Sequence, residues 1–277
     1  MTTVAVLVFA LTYALIASRR LSLLPIGRPA GALLGAVLMV ALGVLAPAEA
    51  LDAVDGATLV LLFAMMLLSA YLERSGLFDR LVRFAVARSG GPRGLLLATA
   101  VAPGVLSAFL LNDAVCLFLA APLVSLCADR RLPFAPYLLA LATSANIGSA
   151  ATLVGNPQNM IVGSLSGYGF VPFMLAVGPA ALVGLAINAA LLFLVFGRRL
   201  PAAFADAPLP SQREGARPRL TLAVVLAIVL GLLVGLDLGF TVLAGVMVLV
   251  LADRKEPQEA FAKVDWSLLV FFACLFV

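Results

Sequence analysis

Residues 143–159 read Thr-Ser-Ala-Asn-Ile-Gly-Ser-Ala-Ala-Thr-Leu-Val-Gly-Asn-Pro-Gln-Asn, a polar stretch broken by glycines inside an otherwise apolar chain. Thr143, Ser144 and Asn146 end one half-helix, and Gly148 with Gly155 permits unwinding. Pro157 bars a regular helix from continuing without a break, and Asn156 and Asn159 supply amides beside it. Unwound carbonyls and helix C-termini suit a cation, while helix N-termini offer free N–H groups to an anion. No Lys or Arg lies in 94–127 or 136–164, so dipoles and a co-bound cation would have to hold an anionic substrate. The competing reading is packing: Ser144, Gly148 and Thr152 form a small-xxx-small row that lets helices approach closely. A packing face alone, however, needs no proline.

Asp113 is the only acidic or basic residue in the interior of any apolar run, all others lying in loops or at the flanks. A charge at membrane depth is costly and reads as functional by default. With Asn112 and neighbouring oxygens its carboxylate could take a hard cation such as Na⁺, or it could carry a proton. The bland alternative is an N-cap, Asn112 or Asp113 starting a helix over 114–127, and a cap role can coexist with a site role.

The elements that position these residues follow from composition. The chain has 277 residues, is 64% hydrophobic and 12% charged, and has a mean hydropathy of +1.15. A soluble domain carries roughly 25% charged residues, so this is an all-α polytopic membrane protein. It contains no His, which excludes imidazole metal sites, proton shuttles and His-based triads. Cys116, Cys127 and Cys274 lie in apolar runs and form no ligand cluster. Nothing supports an enzyme. Arg19 and Arg20 follow the first apolar run and none precede it, so the first helix is retained and not cleaved as a signal peptide.

Apolar runs fall near 3–17, 29–46, 57–72, 94–127, 136–164, 171–196, 219–236, 238–252 and 266–277. A spanning helix needs roughly 17–25 residues. The 94–127 run, about 51 Å as one helix, far exceeds a core of about 30 Å and must fold back at Leu110-Leu111-Asn112-Asp113. With that fold-back all 18 Lys and Arg gather on one side, while Glu49, Asp52, Asp55 and Asp237 lie opposite. The positive-inside rule makes the first side cytoplasmic and puts the N-terminus outside, in a bacterial inner membrane. The expected order is scaffold helices over 3–72, an Arg-rich interfacial helix within 73–93, a re-entrant hairpin over 94–127, a broken helix over 136–164 and a helix over 171–196. These form a first repeat, 1–200, followed by a cytoplasmic linker over 201–218.

The chain also resembles itself at a spacing of about 210. Gly35, Pro47, Glu49, Ala50, Val54 and Asp55 recur as Gly245, Pro257, Glu259, Ala260, Val264 and Asp265. The acidic loop 47–55 lies outside and its counterpart 253–265 inside, which reads as an inverted-topology repeat, an arrangement of many secondary transporters. The second copy, 219–277, stops about 11 residues into a helix that needs roughly 20. On this reading the sequence is a C-terminally truncated product or fragment.

Phe109-Leu-Leu-Asn-Asp-Ala-Val-Cys116, with Ser144 through Asn159, resembles the ion transporter superfamily of arsenite and sodium/proton permeases, citrate transporters and divalent anion:sodium symporters. Asp265-Trp266-Ser-Leu-Leu-Val-Phe-Phe resembles the start of that group's second repeat. The resemblance implies two inverted repeats, each with a re-entrant hairpin and a broken helix, meeting at a midplane site in a homodimer. Carried over by position, Asn112 and Asp113 occupy the hairpin tip, and Ser144, Asn146, Gly148, Thr152, Gly155, Asn156, Pro157 and Asn159 the broken helix. The dicarboxylate branch has Ser-Asn-Thr at the tip. Leu111-Asn112-Asp113 stands here instead, which points toward the permease branch. The expected function is secondary active transport of a small anion coupled to Na⁺ or H⁺. The rivals are a cation/proton antiporter with Asp113 as the exchanging carboxylate, and a non-transporting membrane module.

Overall fold

A computed structural model describes residues 2–17, 27–204, 217–253 and 258–277. Among them every regular element is helical. The chain begins with α1 (Thr2–Ala17), α2 (Arg28–Ala41), the short α3 (Pro47–Asp52) and α4 (Gly56–Arg74). Next come α5 (Leu77–Ser89), α6 (Pro92–Ser107), α7 (Asn112–Asp129), α8 (Phe134–Ser149) and α9 (Pro157–Ser166). The long α10 (Phe170–Phe196) precedes α11 (Pro218–Val234), α12 (Leu238–Asp253), the one-turn α13 (Gln258–Phe261) and α14 (Trp266–Leu275). This is an all-α polytopic membrane protein. Three of the described stretches, Gly56–Arg74, Asn112–Asp129 and Phe170–Arg199, are long and apolar enough to cross a bilayer by themselves.

The structure differs from sequence expectation in its loops. Segment 47–55 holds α3, because Pro47 opens a helical turn and the Glu49 carboxylate accepts the Ala46 N–H at 2.8 Å. Within 253–265 the described residues hold α13, and 254–257 lie outside the described residues. The 73–93 segment divides between the end of α4 and α5. Gly76 and Gly90 bound α5 in left-handed conformation, a backbone glycine adopts without steric cost. The inner face of α5 is Phe78, Val82 and Val86, spaced at one helical turn. Most of the 201–218 linker, 205–216, also falls outside the described residues.

Two compact units emerge, 1–63 with 264–277, and 64–263. In the first, α2 packs on both α1 and α14. Gly35 is the close-approach point with α1, where a methyl would collide with Thr12. In the second, Gly245 of α12 sits on α11 in the same way, with Ile228 as the neighbour. The Asp55 carboxylate accepts the Thr58 N–H at 3.1 Å, and Asp265 accepts the Leu268 N–H at 3.0 Å. Ala50 and Ala260 are both buried. Residues matched at a spacing of about 210 therefore do matched local work.

The heart of the second unit is α6, α7 and α8, with α10 alongside. Tyr137 Oη donates to Pro92 O at 2.9 Å near the start of α6 and α8. Gly104 N donates to Ser144 Oγ at 2.9 Å further along, and Thr152 Oγ1 donates to Ala108 O past both ends. The partners advance together, so α6 and α8 run parallel. α7 lies between them in sequence and runs the other way: it begins beside the C-terminal end of α8 and ends at the loop leading to its start.

Candidate substrate- and ion-binding site

The chain leaves helix after Ser107 and re-enters at Asn112, and leaves again after Ser149 and re-enters at Pro157. Both interruptions come together. Asn112 Nδ2 donates to Asn146 Oδ1 at 2.9 Å, and Asn112 N donates to Gly155 O at 3.0 Å. The tip and the break are therefore joined through side chain and backbone of one residue. The C-termini of α6 and α8 and the N-terminus of α7 converge there, bringing negative and positive dipole ends into one place.

The break is held by its own amides. Asn156 N-caps α9, its Oδ1 accepting the Asn159 N–H at 2.8 Å. Its Nδ2 lies 3.2 Å from both Ser149 O and Ser149 Oγ. Asn159 Nδ2 reaches Thr152 O at 2.8 Å, Ala150 O at 3.2 Å and Ser149 O at 3.3 Å. Carbonyls that a continuous helix would satisfy are here satisfied by asparagine side chains. Pro157 at the first position of α9 has no N–H to lose.

Ser144, Gly148 and Thr152 lie on the α6 contact, on the other side from Asn146. A methyl on Gly148 would collide with Gly104 O. Gly148 itself is helical, so its role here is close approach, and the unwinding is left to residues 150–156. Gly155 is wedged against Ser149 and Ser107, where a Cβ would stand 2.7 Å from Ser107 O. Thr143 returns its hydroxyl to Leu139 O at 2.8 Å.

Asp113 sits in the first turn of α7 with its side chain exposed. Neither Asn112 nor Asp113 caps the helix, because Leu111 occupies the cap position and supplies no side-chain bond. Two oxygens of the junction are buried without a donor, Asn112 Oδ1 and Ser107 Oγ. Ser107 is fully buried and was not among the residues expected from sequence. Its signal was present: a hydroxyl four residues before Leu111 in an apolar run, with no charge or turn to explain it. Among the described residues no group of three His, Cys, Asp or Glu converges. Any cation here would be held by neutral oxygens and helix ends, with Asp113 nearby in sequence. A cleft of about 350 Å³ between α6, the break and α10 is lined almost wholly by apolar groups such as Val105, Phe109 and Leu182.

Helices interrupted in pairs within an apolar bundle define a transporter-like membrane architecture. The family model for the citrate transporter matches residues 13–277, and the chain belongs to that family. Among its relatives, the 46 kDa membrane protein of Mycobacterium leprae is 30% identical over 293 residues, covering all of this chain and 67% of that protein. The silicon efflux transporter LSI3 of Oryza sativa subsp. japonica is 45% identical over 177 residues, covering 64% of this chain and 36% of LSI3. The putative transporter arsB of Dictyostelium discoideum is 36% identical over 177 residues, 31% of its length. The chain thus spans about a third of these last two relatives. The family is one of transporters, not enzymes, and two of these three relatives carry that word in their names.

Proposed function

We propose that the protein is a secondary active transporter of a small anion, coupled to Na⁺ or H⁺, with alternating access at a site built on the 108–112 tip and the 150–157 break. The observation that carries this reading is the Asn112–Asn146 amide bridge beside two buried oxygens without donors, Asn112 Oδ1 and Ser107 Oγ. Bare acceptors on the last residue of α6 and the first of α7, beside the C-terminal ends of α6 and α8, attract a cation, and a bound cation then offsets the charge of an anion held near the N-terminus of α7. In this reading α6 and α7 form a re-entrant hairpin. Support comes from α6, whose 16 residues reach only about 24 Å. The matched devices at Gly35 and Gly245, and at Asp55 and Asp265, support inverted repeats. The gathering of Lys and Arg on one side supports an N-terminus outside, and a homodimer is the expected assembly.

The exposed carboxylate of Asp113 favours a second reading, cation/proton antiport. Proteoliposome flux separates the two. Under the symport reading an imposed Na⁺ or H⁺ gradient drives uptake of a small anion, with citrate as the first one tried. Internal acidification driven by a Na⁺ gradient with no anion present overturns symport and establishes the antiporter.

A further inference from the structure

Where the ends of α4 and α12 meet the start of α11, a narrow cavity of about 20 Å³ opens to the surface. Tyr71, Arg74, Arg217, Leu220, Thr221 and Asp253 line it. Tyr71 is 5% exposed, yet its hydroxyl has no hydrogen-bond partner among the described residues. Arg74 spends Nη2 on the Asp253 carboxylate at 3.1 Å and leaves Nη1 buried without a hydrogen bond. Glu259 Oε2, 3.6 Å from Nη1, is close enough to pair in charge but too far to accept a hydrogen bond. Two residues that line one void therefore each carry a buried donor without a hydrogen bond, and burying a donor without an acceptor costs stability.

The rest of the lining is suited to an anion. The first turn of α11, a 17-residue helix, presents Leu220 and Thr221 to the cavity, and its N-terminus is the positive dipole end. Arg217 adds an exposed second cation. Asp253 within the lining and Glu259 outside it both pair in charge with Arg74, so Arg217 is the cation of the lining that these two carboxylates leave for a ligand. The inner part of the cavity is narrow and accepts oxygen-sized groups. A ligand would enter with single oxygens while its central atom stays at the mouth.

We propose that this cavity binds a phosphate group: one non-ester oxygen accepts from Tyr71 Oη and Arg74 Nη1, and Arg217 with the α11 N-terminus meets the remaining charge. The same chemistry is offered by a phospholipid headgroup and by inorganic phosphate. The cavity is separate from the tip-and-break site, and the proposal does not depend on what that site transports.

The test uses purified, delipidated protein in neutral detergent, with phosphatidylglycerol and inorganic phosphate as probes and thermal midpoint and native mass spectrometry as readouts. Wild type should bind and be stabilised by at least one of them. Tyr71→Phe should be as stable as wild type when delipidated, because it deletes a hydroxyl with no partner, and should bind the probe about tenfold more weakly. Arg217→Gln should weaken binding by a similar factor, while Arg88→Gln on α5 leaves it unchanged. Phosphatidylglycerol binding that inorganic phosphate does not compete away identifies a headgroup site, and full competition identifies a free-phosphate site. Wild type that binds neither probe, or Tyr71→Phe and Arg217→Gln variants indistinguishable from wild type, overturns the proposal and leaves a water-filled void.

Discussion

The side-chain amide of Asn112 donates to the amide oxygen of Asn146 at 2.9 Å, tying the first residue of α7 to the last turn of α8. The backbone N–H of the same residue donates to Gly155 O at 3.0 Å, on the far side of the break. One asparagine thus fixes the hairpin tip against two points that an unbroken helix would hold farther apart.

Replacing Asn112 with Ala removes the amide bridge and keeps the backbone bond. The expected cost in stability is modest, about 0.5–1.5 kcal/mol, because the tip remains attached through Gly155. Transport should suffer more, by at least about tenfold, since the bridge orients the oxygens that would meet the coupling ion. Proteoliposome flux measured beside the thermal midpoint checks this. A variant that loses both in proportion would give Asn112 a structural role only.

Asp113→Asn is expected to abolish coupled transport and leave expression intact. The carboxylate is exposed and makes no cap, so its loss should shift stability by no more than the ~0.3–1 kcal/mol of a charge near a helix N-terminus. Wild-type flux with unchanged cation dependence in this variant would remove Asp113 from the site.

Much of this was legible in the sequence because membranes punish irregular backbone and stray charge. The fold-back followed from a run too long for one crossing, although it falls at 108–111 and not at the expected 110–113, and the break at 150–156 followed from Gly155-Asn156-Pro157. Hidden were the partnerships. That Ser144, Gly148 and Thr152 all turn toward α6, while Asn146 turns toward Asn112, depends on the relative rotation of two parallel helices, which spacing alone leaves open. Ser107 was missed for the same reason: a lone hydroxyl usually bonds back to its own helix, as Thr99 does to Leu95 O at 2.8 Å. Ser107 makes no such bond. The helices α3 and α13 escaped notice because four to six residues give too little periodicity to read.

Gly148→Ala tests the α6–α8 contact. The added methyl meets Gly104 O, which is backbone and cannot swing aside. The helices must separate, at an expected cost of about 1–3 kcal/mol. Gly178→Ala on α10 is the control: its methyl would meet only Met174 Cγ at 3.9 Å, so helix propensity should leave it neutral or stabilised by up to ~1 kcal/mol. Thermal midpoints of the two variants in detergent should move in different directions. Equal shifts would mean that α6 and α8 are not in backbone contact at Gly148.

Asn159 bears most directly on how the break keeps its shape. Its amide has two hydrogens, yet three carbonyls lie within reach, at 2.8, 3.2 and 3.3 Å. The bond to Thr152 O is the firm one, and Ser149 O and Ala150 O share the other hydrogen. Ser149 O also receives Asn156 Nδ2, so the two asparagines clasp the end of α8 from one side. An amide so fully engaged has no donor left for a substrate, which assigns Asn159 to positioning. Asn159→Leu, close in size and without donors, should cost about 1–3 kcal/mol by leaving buried carbonyls unsatisfied. It should also raise the Na⁺ or H⁺ concentration needed for half-maximal flux, because carbonyls that once pointed one way would be free to turn. Asn159→Asp loses the donors as well and should behave alike, even though it could still offer oxygen to a cation. If Asn159→Asp instead retains full ion affinity while Asn159→Leu does not, the side chain is a ligand and the clasp is incidental.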